Sequence, residues 1–295
     1  MLSRAGGRYQ VFAEGVVREA ALRGRMKHER AESVLVGDRV QLAIQTDGAA
    51  TIERIHPRES LLQRRSPGRS HGVRPVAANL QQVVVVGAAR SPDWDPGLID
   101  RFTAVAEANQ LPVLVVVNKT DLDPEAAGLA RPYREAGYAV LLTSVALGEG
   151  VAALRERLLD RVSLFTGPTG VGKSSLLNAV VPGLRLRTGE VSRRGGAGRH
   201  TTVAAEMHPL AGGGFVVDTP GLRDIGLWGL EPLEVTAAFP EFAAMARCRF
   251  DNCQHRGEPG CEVAAAAERG TLARSRLESY RRLLAEAELA SRPWA

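Results

Sequence analysis

A glycine-rich segment in the middle of the chain carries the residue types that bind phosphate groups. It follows the apolar run 162–166 and reads Gly167-Pro168-Thr169-Gly170-Val171-Gly172-Lys173-Ser174. Glycines let backbone N–H groups curl around a phosphate, and the start of the following helix adds partial positive charge. We expect Lys173 to reach the β- and γ-phosphates of a nucleotide and to assist catalysis, and the Ser174 hydroxyl to bind Mg²⁺. Ser175, the next residue, is assigned to the same site. We call residues 167–174 the phosphate loop.

A second segment has the composition of a guanine-recognition motif. It ends the apolar run 113–117 and reads Asn118-Lys119-Thr120-Asp121. A carboxylate in the last position can accept hydrogen bonds from N1–H and the N2 amine of guanine, whereas adenine would leave that carboxylate unpaired. Such lost pairing can discriminate by about 10⁴, so this base motif predicts GTP rather than ATP. Thr143, Ser144 and Val145, after the next predicted strand, are expected to supply backbone contacts to the base.

The order of the two motifs is unusual. In an ordinary GTPase the phosphate loop precedes the base motif, whereas here Lys119 precedes Lys173. Both motifs are intact, so the order predicts a circularly permuted GTPase domain. The chain has only three lysines, Lys27 and these two. Nearly all basic positions of the chain are therefore arginine, and two of the three lysines lie in motifs where a compact ammonium is needed.

Two later segments are expected to complete the Mg²⁺ and γ-phosphate contacts. Asp218 begins the sequence Asp-Thr-Pro-Gly after the apolar run 215–217. It is expected to hold Mg²⁺ through water, and the Gly221 N–H to contact the γ-phosphate. The glycine-rich stretch 193–202 ends in Thr201 and Thr202, one of which should bind Mg²⁺ and contact the γ-phosphate when the loop becomes ordered. The sequence does not choose between them, and Ser174, Thr202 and Asp218 are the predicted Mg²⁺ ligands.

The residue that orients the attacking water differs from the usual one. Small GTPases often carry glutamine after the Asp-x-x-Gly segment, and Leu222 occupies that position here. Leucine makes no hydrogen bond, so slow intrinsic hydrolysis is expected. His200 is the candidate for orienting or deprotonating the water; the alternative is a loop residue that contacts a partner. Arg199 could instead stabilise charge in the transition state.

A cluster near the carboxyl end predicts a metal site. Cys248, Cys253, His255 and Cys261 include all three cysteines of the chain. Three thiolates and one imidazole make a closed tetrahedral Zn²⁺ site, which predicts one structural rather than catalytic zinc. A disulfide would leave one cysteine over. Nearby Arg247, Arg249 and Arg256 could contact phosphates or lie in solvent.

Hydrophobic patterning divides the chain into three parts. Residues 1–75 are predicted to form strands over 8–14, 34–44 and 51–55, with 64–74 as a loop, which fits a small barrel of the OB type. From residue 79, predicted strands at 82–87, 113–118, 139–143, 162–166 and 215–217 alternate with helices at 98–109, 150–160 and 174–180, which indicates a largely parallel α/β sheet. From residue 229 a helical region ends in a helix over 271–289. On that helix Leu277, Tyr280 and Leu284 should form a packing stripe, and Arg274, Arg276, Arg281 and Arg282 are expected in solvent or facing RNA.

Charge and composition bear on partners and location. The formal net charge is +5, and residues 1–75 hold 14 Lys and Arg against eight Asp and Glu. This surplus favours a polyanionic partner, although a solvated basic surface is the alternative. No signal-peptide pattern or apolar run long enough to span a bilayer is visible, so we expect a cytoplasmic protein without a membrane partner.

Together these residues resemble the ribosome small-subunit-dependent GTPase A (RsgA) family. The resemblance rests on the permuted motif order, Gly198-Arg199-His200-Thr201-Thr202, the Asp218–Gly221 segment, the Cys/His cluster and the basic start. It implies an OB-fold RNA-binding domain over 1–75, a permuted P-loop GTPase domain over 79–228 and a mostly helical zinc-binding domain over 229–295. It also implies a monomer that binds GTP and GDP and acts with the small (30S) ribosomal subunit and its rRNA in late maturation. Hydrolysis would be stimulated by the subunit, with His200 as the catalytic histidine.

Two other functions stay open at this level. One is an RNA-binding assembly module in which GTP is mainly a structural ligand. The other is a permuted GTPase that acts on a protein target. Phosphate release that rises when small ribosomal subunits are added would favour the ribosome-dependent GTPase over both of these alternatives.

Overall fold

The amino-terminal part of the chain forms a mixed five-stranded sheet. The computed structural model describes residues 1–5, 7–24, 34–46, 48–65, 73–186, 205–218 and 230–291. The strands are β1 (Ser3–Ala5), β2 (Arg8–Ala13), β3 (Val16–Leu22), β4 (Val40–Ile44) and β5 (Ala50–Ile55), in the order β1-β2-β3-β5-β4. The β3–β5 pair is parallel and the other pairs are antiparallel. Strands β6 (Leu61–Arg65) and β7 (Val73–Ala78) form a separate antiparallel hairpin.

Two sequence expectations in this region are wrong in part. The strand predicted over 34–44 begins only at Val40, because Gly37 has φ +92° and the Leu35 N–H donates to the Asp38 carboxylate instead of to a neighbouring strand. That carboxylate is buried and pairs with both Nε and Nη2 of Arg58, at 2.7 and 2.9 Å. The loop predicted over 64–74 is shorter at both ends, since β6 continues to Arg65 and β7 begins at Val73.

A six-stranded sheet forms the centre of the molecule, as the α/β pattern predicts. It contains β8 (Gln82–Ala88), β9 (Val113–Asn118), β10 (Ala139–Leu142), β11 (Val162–Thr166), β12 (Glu206–Pro209) and β13 (Phe215–Asp218). The order is β10-β9-β8-β11-β13-β12, parallel except for β12, a strand that the sequence pattern did not predict. All of β8 is buried, as expected for a parallel strand covered on both faces.

The helices of this region cover both faces of the sheet. They are α1 (Pro96–Ala108), α2 (Ala126–Leu129), α3 (Arg131–Glu135), α4 (Val151–Leu158) and α5 (Lys173–Val180), with a 3₁₀ turn at Thr120–Leu122. Alternate residues of β8 enter two different cores. Val84 and Val86 pack with α4 and α5, whereas Val83 and Val85 pack with α1 and with buried residues of the amino-terminal sheet.

The amino-terminal sheet is attached to the central sheet beside β12 and β13. The Met207 N–H donates to the Leu2 carbonyl at 2.9 Å, and Phe12 meets Phe215 edge to face at 5.6 Å between ring centroids. The Gln63 N–H donates to the Asn109 side chain at the end of α1, at 3.1 Å. The two regions therefore share one continuous apolar core.

The carboxyl-terminal part is helical around the cysteine cluster. Its helices are α6 (Pro232–Ala237), α7 (Pro240–Ala243), α8 (Glu262–Glu268) and α9 (Arg274–Ser291). The packing stripe predicted on the last helix is confirmed, since Leu277, Tyr280 and Leu284 are all buried. No helix among the residues described above is long and apolar enough to cross a membrane.

One prediction for α9 is wrong. Arg276 was expected in solvent or facing RNA, but its side chain is only 1% exposed and pairs with two carboxylates. Arg274 and Arg282 are exposed as expected, and Arg281 is half-buried with its Nε donating to the His255 carbonyl at 2.8 Å.

Candidate nucleotide site and metal centre

The carboxyl ends of the parallel strands bring the predicted nucleotide-binding residues to one edge of the sheet. Pairing places Ala88 of β8 beside Asn118 of β9, and Phe165 of β11 beside Asp218 of β13. The phosphate loop follows β11 directly, and Thr143 and Ser144 follow β10. Ligands of open α/β sheets bind at this edge. Segments that lie far apart in the chain therefore meet despite their permuted order.

At two positions of the phosphate loop, neighbouring atoms approach the backbone so closely that only glycine fits. Gly167 has φ +139°, and a Cβ there would lie 2.0 Å from the Val86 carbonyl oxygen. Gly172 has φ +95°, and its Cβ would lie 2.4 Å from the Asn118 amide nitrogen. Strand β8 and the base motif therefore pack directly against the outer side of the phosphate loop. The inner side stays available for a ligand, with Thr169 and Gly170 exposed and Ser174 and Ser175 half-exposed.

Lys173 is held inside the loop that precedes it. Its side chain is buried, and Nζ donates to the carbonyl oxygens of Gly167 at 2.7 Å and Pro168 at 2.6 Å. The residue opens helix α5, where backbone N–H groups lack intrahelical partners. An ammonium and a helix N-terminus therefore converge on the same small space, which favours a bound phosphate.

Asn118 connects three parts of the site. It is buried, and its amide nitrogen donates to the Val171 carbonyl at 2.9 Å. Its amide oxygen accepts from the Thr143 hydroxyl at 3.0 Å. The Thr120 N–H donates to the Thr143 carbonyl at 3.2 Å. The base motif, the phosphate loop and the segment after β10 are therefore fixed relative to one another.

Asp121, which the sequence predicts to recognise the base, is held by a buried serine. Its residue is exposed, while its Oδ1 accepts from the hydroxyl of Ser144, which is itself buried. The Ser144 oxygen in turn accepts from the Leu147 N–H at 3.2 Å. These two hydrogen bonds orient the Asp121 carboxylate. The Ser144 side chain therefore supports Asp121, a contact that was not predicted from the sequence.

Lys119 extends along the opening of the site. Its Nζ donates to the Gly170 carbonyl at 2.7 Å and also to the Ser91 carbonyl. Residues 90–95, the 90–95 loop, follow β8 at the same sheet edge, and Pro92 lies against Gly170. This loop was not among the residues predicted from the sequence. Its position directly after a buried parallel strand was the available signal, because that strand must end at the ligand edge.

Asp218 ends β13 at the same edge and is buried. Side chains of Ser174 and Asp218 are hard oxygen donors of the kind that Mg²⁺ prefers beside phosphates. Their chemistry fits a nucleotide-bound Mg²⁺. The other predicted residues, His200, Thr201, Thr202 and Gly221, lie outside the described residues, as do Arg199 and Leu222.

The four predicted zinc ligands do come together. Their ligand atoms all lie within 4.8 Å of one another. His255 Nδ1 lies 3.6 Å from Cys248 Sγ, 3.6 Å from Cys253 Sγ and 3.5 Å from Cys261 Sγ. In a tetrahedral site with Zn–S of about 2.3 Å and Zn–N of about 2.0 Å, sulfur and nitrogen are separated by roughly 3.5 Å. Both the donor set and its spacing therefore fit Zn²⁺.

The surroundings of the cluster suit thiolate and neutral imidazole ligands. The Ala264 N–H at the start of α8 donates to Cys261 Sγ at 3.4 Å. Although burial opposes it, the N–H groups of Glu262 and Val263 hold the pKa of Cys248 below its usual value. Burial and the neighbouring thiols raise the pKa of Cys253 to about 12, and burial lowers the pKa of His255. Crowded thiols resist ionising together unless a cation joins them, and a divalent metal supplies that charge.

Glu258 organises the loop that carries His255. Its carboxylate accepts from the N–H groups of Gln254 at 2.9 Å and Arg256 at 2.7 Å. Burial opposes ionisation, but these backbone donors lower the pKa of Glu258 to about 2. Of the three nearby arginines, Arg247 and Arg249 are exposed, whereas Arg256 pairs with Glu288.

Comparisons with known proteins agree with this geometry. A family model described as RsgA GTPase matches residues 55–228, and one described as RsgA N-terminal domain matches residues 2–52. The chain is 50% identical over 286 residues to the small ribosomal subunit biogenesis GTPase RsgA of Gemmatimonas aurantiaca, covering 94% of this chain and 93% of that one. It is 45% identical over 289 residues to the protein of the same name from Moorella thermoacetica, covering 97% and 96%.

Solved structures give the same result. The fold is similar to that of YjeQ from Thermotoga maritima, with a TM-score of 0.79 and 34% identity over 97% of this chain and 96% of that one. It is also similar to YloQ, described as a circularly permuted GTPase, with a TM-score of 0.74 and 26% identity over 99% and 95%. The permuted order inferred from the motifs is therefore the order of a known fold.

Proposed function

The chain belongs to the RsgA GTPase family, and from that premise we propose that it hydrolyses GTP during late maturation of the small ribosomal subunit. The enzyme class follows from the family. The observation that carries the ribosomal assignment is the 50% identity, over nearly the whole length of both chains, to a protein named for small-subunit biogenesis. The arrangement of Asp121, Ser144 and the phosphate loop supports a guanine nucleotide as the ligand.

The described residues have distinct proposed roles toward GTP. Asp121 accepts hydrogen bonds from N1–H and the N2 amine of guanine, with Ser144 holding its carboxylate. Lys173 exchanges its bonds to the Gly167 and Pro168 carbonyls for the β- and γ-phosphates. The backbone of the phosphate loop donates to the remaining phosphate oxygens. Ser174 and Asp218 hold Mg²⁺, which neutralises charge that develops on the phosphates.

Hydrolysis itself is proposed to depend on residues outside the described part of the chain. His200 orients the attacking water, because Leu222 stands where many GTPases have glutamine. Thr201 or Thr202 contacts Mg²⁺ and the γ-phosphate, and the Gly221 N–H contacts the γ-phosphate. We propose that the small ribosomal subunit stimulates the reaction in which these residues take part.

We propose three domains with separate tasks. Residues 1–75 form an OB-type barrel that binds rRNA, 79–228 form the permuted GTPase domain, and 229–295 form a mostly helical domain organised by one structural Zn²⁺. The segment 219–229 joins the GTPase domain to the zinc domain. Nucleotide state would therefore change how the zinc domain sits on rRNA, and hydrolysis would release a monomeric factor into the cytoplasm.

The β6–β7 hairpin is the proposed basic contact of the first domain. Five arginines of this domain already pair with carboxylates: Arg8, Arg18, Arg23, Arg39 and Arg58. Residues 64–74 contain four more arginines and no acidic residue. Most of the positive surplus of residues 1–75 therefore lies in the sequence segment 64–74, and we propose that its arginines neutralise RNA phosphates.

The test is multiple-turnover GTP hydrolysis with and without purified small subunits. Stimulation is expected in the unaltered protein, and a Lys173→Ala variant should bind no nucleotide. A His200→Ala variant should bind GTP but lose the stimulation. Stimulation that survives in His200→Ala would assign the water to another group, such as Arg199 or rRNA. No stimulation of the unaltered protein would overturn the ribosomal assignment in favour of a protein target or a structural nucleotide.

A further inference from the structure

The 90–95 loop is a physical part of the nucleotide site. The Ser91 carbonyl and the Gly170 carbonyl accept from the same Lys119 ammonium, so this lysine joins the 90–95 loop to the phosphate loop. Pro92 Cδ would lie 3.4 Å from a Cβ at Gly170, which is ordinary contact distance. Arg90 Nε pairs with Asp123, just beyond the base motif, at 3.3 Å. Displacing this loop would therefore disturb both Lys119 and Gly170.

The far end of the 90–95 loop is fixed to helix α1. Asp95 caps the helix, accepting from the Gly97 N–H at 2.9 Å and the Leu98 N–H at 3.2 Å. Trp94 fills the space left by Gly87, whose Cβ would lie 2.4 Å from the indole ring. The indole also meets Tyr133 edge to face at 5.7 Å. Because the loop is short and held at both ends, its position follows that of the first turns of α1.

Helix α1 is in turn held by the buried Arg276 of α9. Arg276 Nη1 donates to Asp100 Oδ1 at 2.7 Å, and Asp100 is fully buried on α1. Arg276 Nε and Nη2 donate to the two oxygens of Glu241 at 2.6 and 3.1 Å. Its guanidinium also lies 5.7 Å from the Tyr133 ring, which contacts Trp94. One cation therefore joins the GTPase domain to the helical domain.

The same arginine continues toward the metal cluster. It lies 4.5 Å from the ring of Phe239, which packs with Phe242 and Tyr280. Both of those rings contact the imidazole of His255, at 5.6 and 5.8 Å between centroids. The Tyr280 hydroxyl donates to the Gln254 carbonyl at 3.0 Å. Packed side chains thus connect the metal ligand His255 to Arg276 without a gap.

We propose that Arg276 is a positioning residue for the nucleotide site, acting through Asp100, α1 and the 90–95 loop on Lys119. The distance between the partners of a buried ion pair is tightly constrained, because separating them leaves an uncompensated buried charge. Asp100 therefore follows any movement of α9, and the Ser91 carbonyl follows α1. Nucleotide affinity and the position of the zinc-bearing helices are then coupled, and the coupling must act in both directions. This route is separate from the chain connection over 219–229.

The proposal rests on the proposed nucleotide site and does not require a ribosomal partner. Its test accordingly uses the full-length, zinc-loaded protein and a fluorescent GDP analogue, without subunits. Asp100→Asn is the informative variant, because it weakens the link from α1 to Arg276 and keeps the side-chain shape. Glu241→Gln is the matched control, because it makes the same chemical change on the same arginine without touching α1.

The dissociation rate of the GDP analogue should rise at least about fivefold in Asp100→Asn, the lower end of typical coupling between sites. It should change by less than about twofold in Glu241→Gln, judged against the same scale. Zinc content and thermal unfolding show whether each variant is folded. If both variants are equally destabilised, a folding defect cannot explain why their dissociation rates differ, and loss of positioning remains the cause. Equal dissociation rates in the two variants would overturn the proposal. If the unaltered protein binds no guanine nucleotide, the proposed function is wrong, and that result is distinguishable from a failure of the coupling proposal, which requires a measurable dissociation rate.

Hydrogen exchange supplies a second readout that needs no stable variant. Binding of GDP should slow exchange of amides in the first turns of α9, around Arg276 to Tyr280, in the unaltered protein. The effect should disappear in Asp100→Asn if that variant folds. Unchanged exchange in α9 of the unaltered protein, at saturating GDP, would overturn the proposal. Protection that persists in Asp100→Asn would assign the coupling to the 219–229 connection instead.

Discussion

At the scale of single residues, the nucleotide site depends on side chains that hold other side chains. Asn118 makes no expected contact with phosphate, yet it joins Val171 to Thr143 and so sets the distance between two motifs. Ser144 similarly orients Asp121. The sequence pointed to both residues, because Asn118 ends β9 and Ser144 comes shortly after β10 at the ligand edge of the sheet. Their hydrogen-bond partners could not be predicted, since these lie 23, 25 and 53 residues away in the chain.

Replacing Asp121 by asparagine should change the base that is preferred. An amide donates where the carboxylate accepts, so guanine N1–H loses its acceptor while xanthine gains a donor for its O2. We expect weaker GDP binding and a relative gain for the xanthine nucleotide, measured by competition against a fluorescent GDP analogue. Asp123→Asn, two residues on, is the control and should keep guanine preference. An unchanged preference in Asp121→Asn would mean that the base lies elsewhere.

Replacing Ser144 by alanine should weaken nucleotide binding without damaging the fold. The lost hydrogen bond is to a charged group and contributes about 1.5 kcal/mol or more, which corresponds to roughly tenfold in affinity. Titration calorimetry with GDP measures the effect. Ser291→Ala, at the end of α9, is a matched control that should bind normally. Unaltered affinity in Ser144→Ala would show that Asp121 does not need this support.

At the scale of elements, local patterns predicted the central sheet better than the connections between domains. The strands at 113–118 and 162–166 were predicted at their observed limits, because each is a short, mostly apolar segment between residues that do not continue the pattern. β12 was missed because its four residues, Glu206–Pro209, lack a periodic apolar pattern. Arg276 was misplaced because its burial depends on carboxylates 35 and 176 residues away in the chain. No pattern within one helix contains that information.

Removing the metal should unfold the carboxyl-terminal helices. Ligand binding and folding share free energy in such sites, since the crowded thiols are stable as thiolates only around a cation. Treatment with a strong chelator should lower the unfolding temperature and the helical signal in circular dichroism. Cys253→Ser already lacks one ligand and should respond little to the same treatment. Identical unfolding of metal-loaded and metal-free protein would contradict a structural role for zinc.

Neutralising the β6–β7 hairpin should reduce the salt dependence of RNA binding. The change is Arg64, Arg65, Arg69 and Arg74 to glutamine. Each lost phosphate contact lowers the slope of log affinity against log salt by about 0.7–0.9, so loss of four contacts should lower it by roughly three to three and a half. Binding to small subunits over a range of KCl concentrations measures it.

The matched control for this change neutralises four arginines of the same domain that pair with carboxylates: Arg8, Arg18, Arg23 and Arg39. Because their charges are already offset, their loss should alter the slope less. The same slope in both variants would show that the hairpin is not the basic contact. A larger effect in the control would place the contact on the five-stranded sheet.

At the scale of the whole molecule, side-chain contacts as well as the chain itself join the three regions. The amino-terminal sheet is attached beside β12 and β13 through Leu2 and Phe12, and the helical region is attached to α1 through Asp100. The first attachment includes β13, which ends at Asp218 of the proposed nucleotide site, and the second is made to α1, which follows the 90–95 loop. A change of nucleotide can therefore reach both proposed RNA-binding regions, which is what a factor that binds and then leaves a large partner requires.

Association of the protein with purified small subunits, compared between a non-hydrolysable GTP analogue and GDP at fixed salt and Mg²⁺, tests the central claim most directly. The account predicts binding at least about tenfold tighter with the analogue, a difference of about 1.4 kcal/mol. The Lys173→Ala variant, which is expected to bind neither nucleotide, should show no difference between the two conditions. Equal affinities of the unaltered protein with the analogue and with GDP would contradict the account.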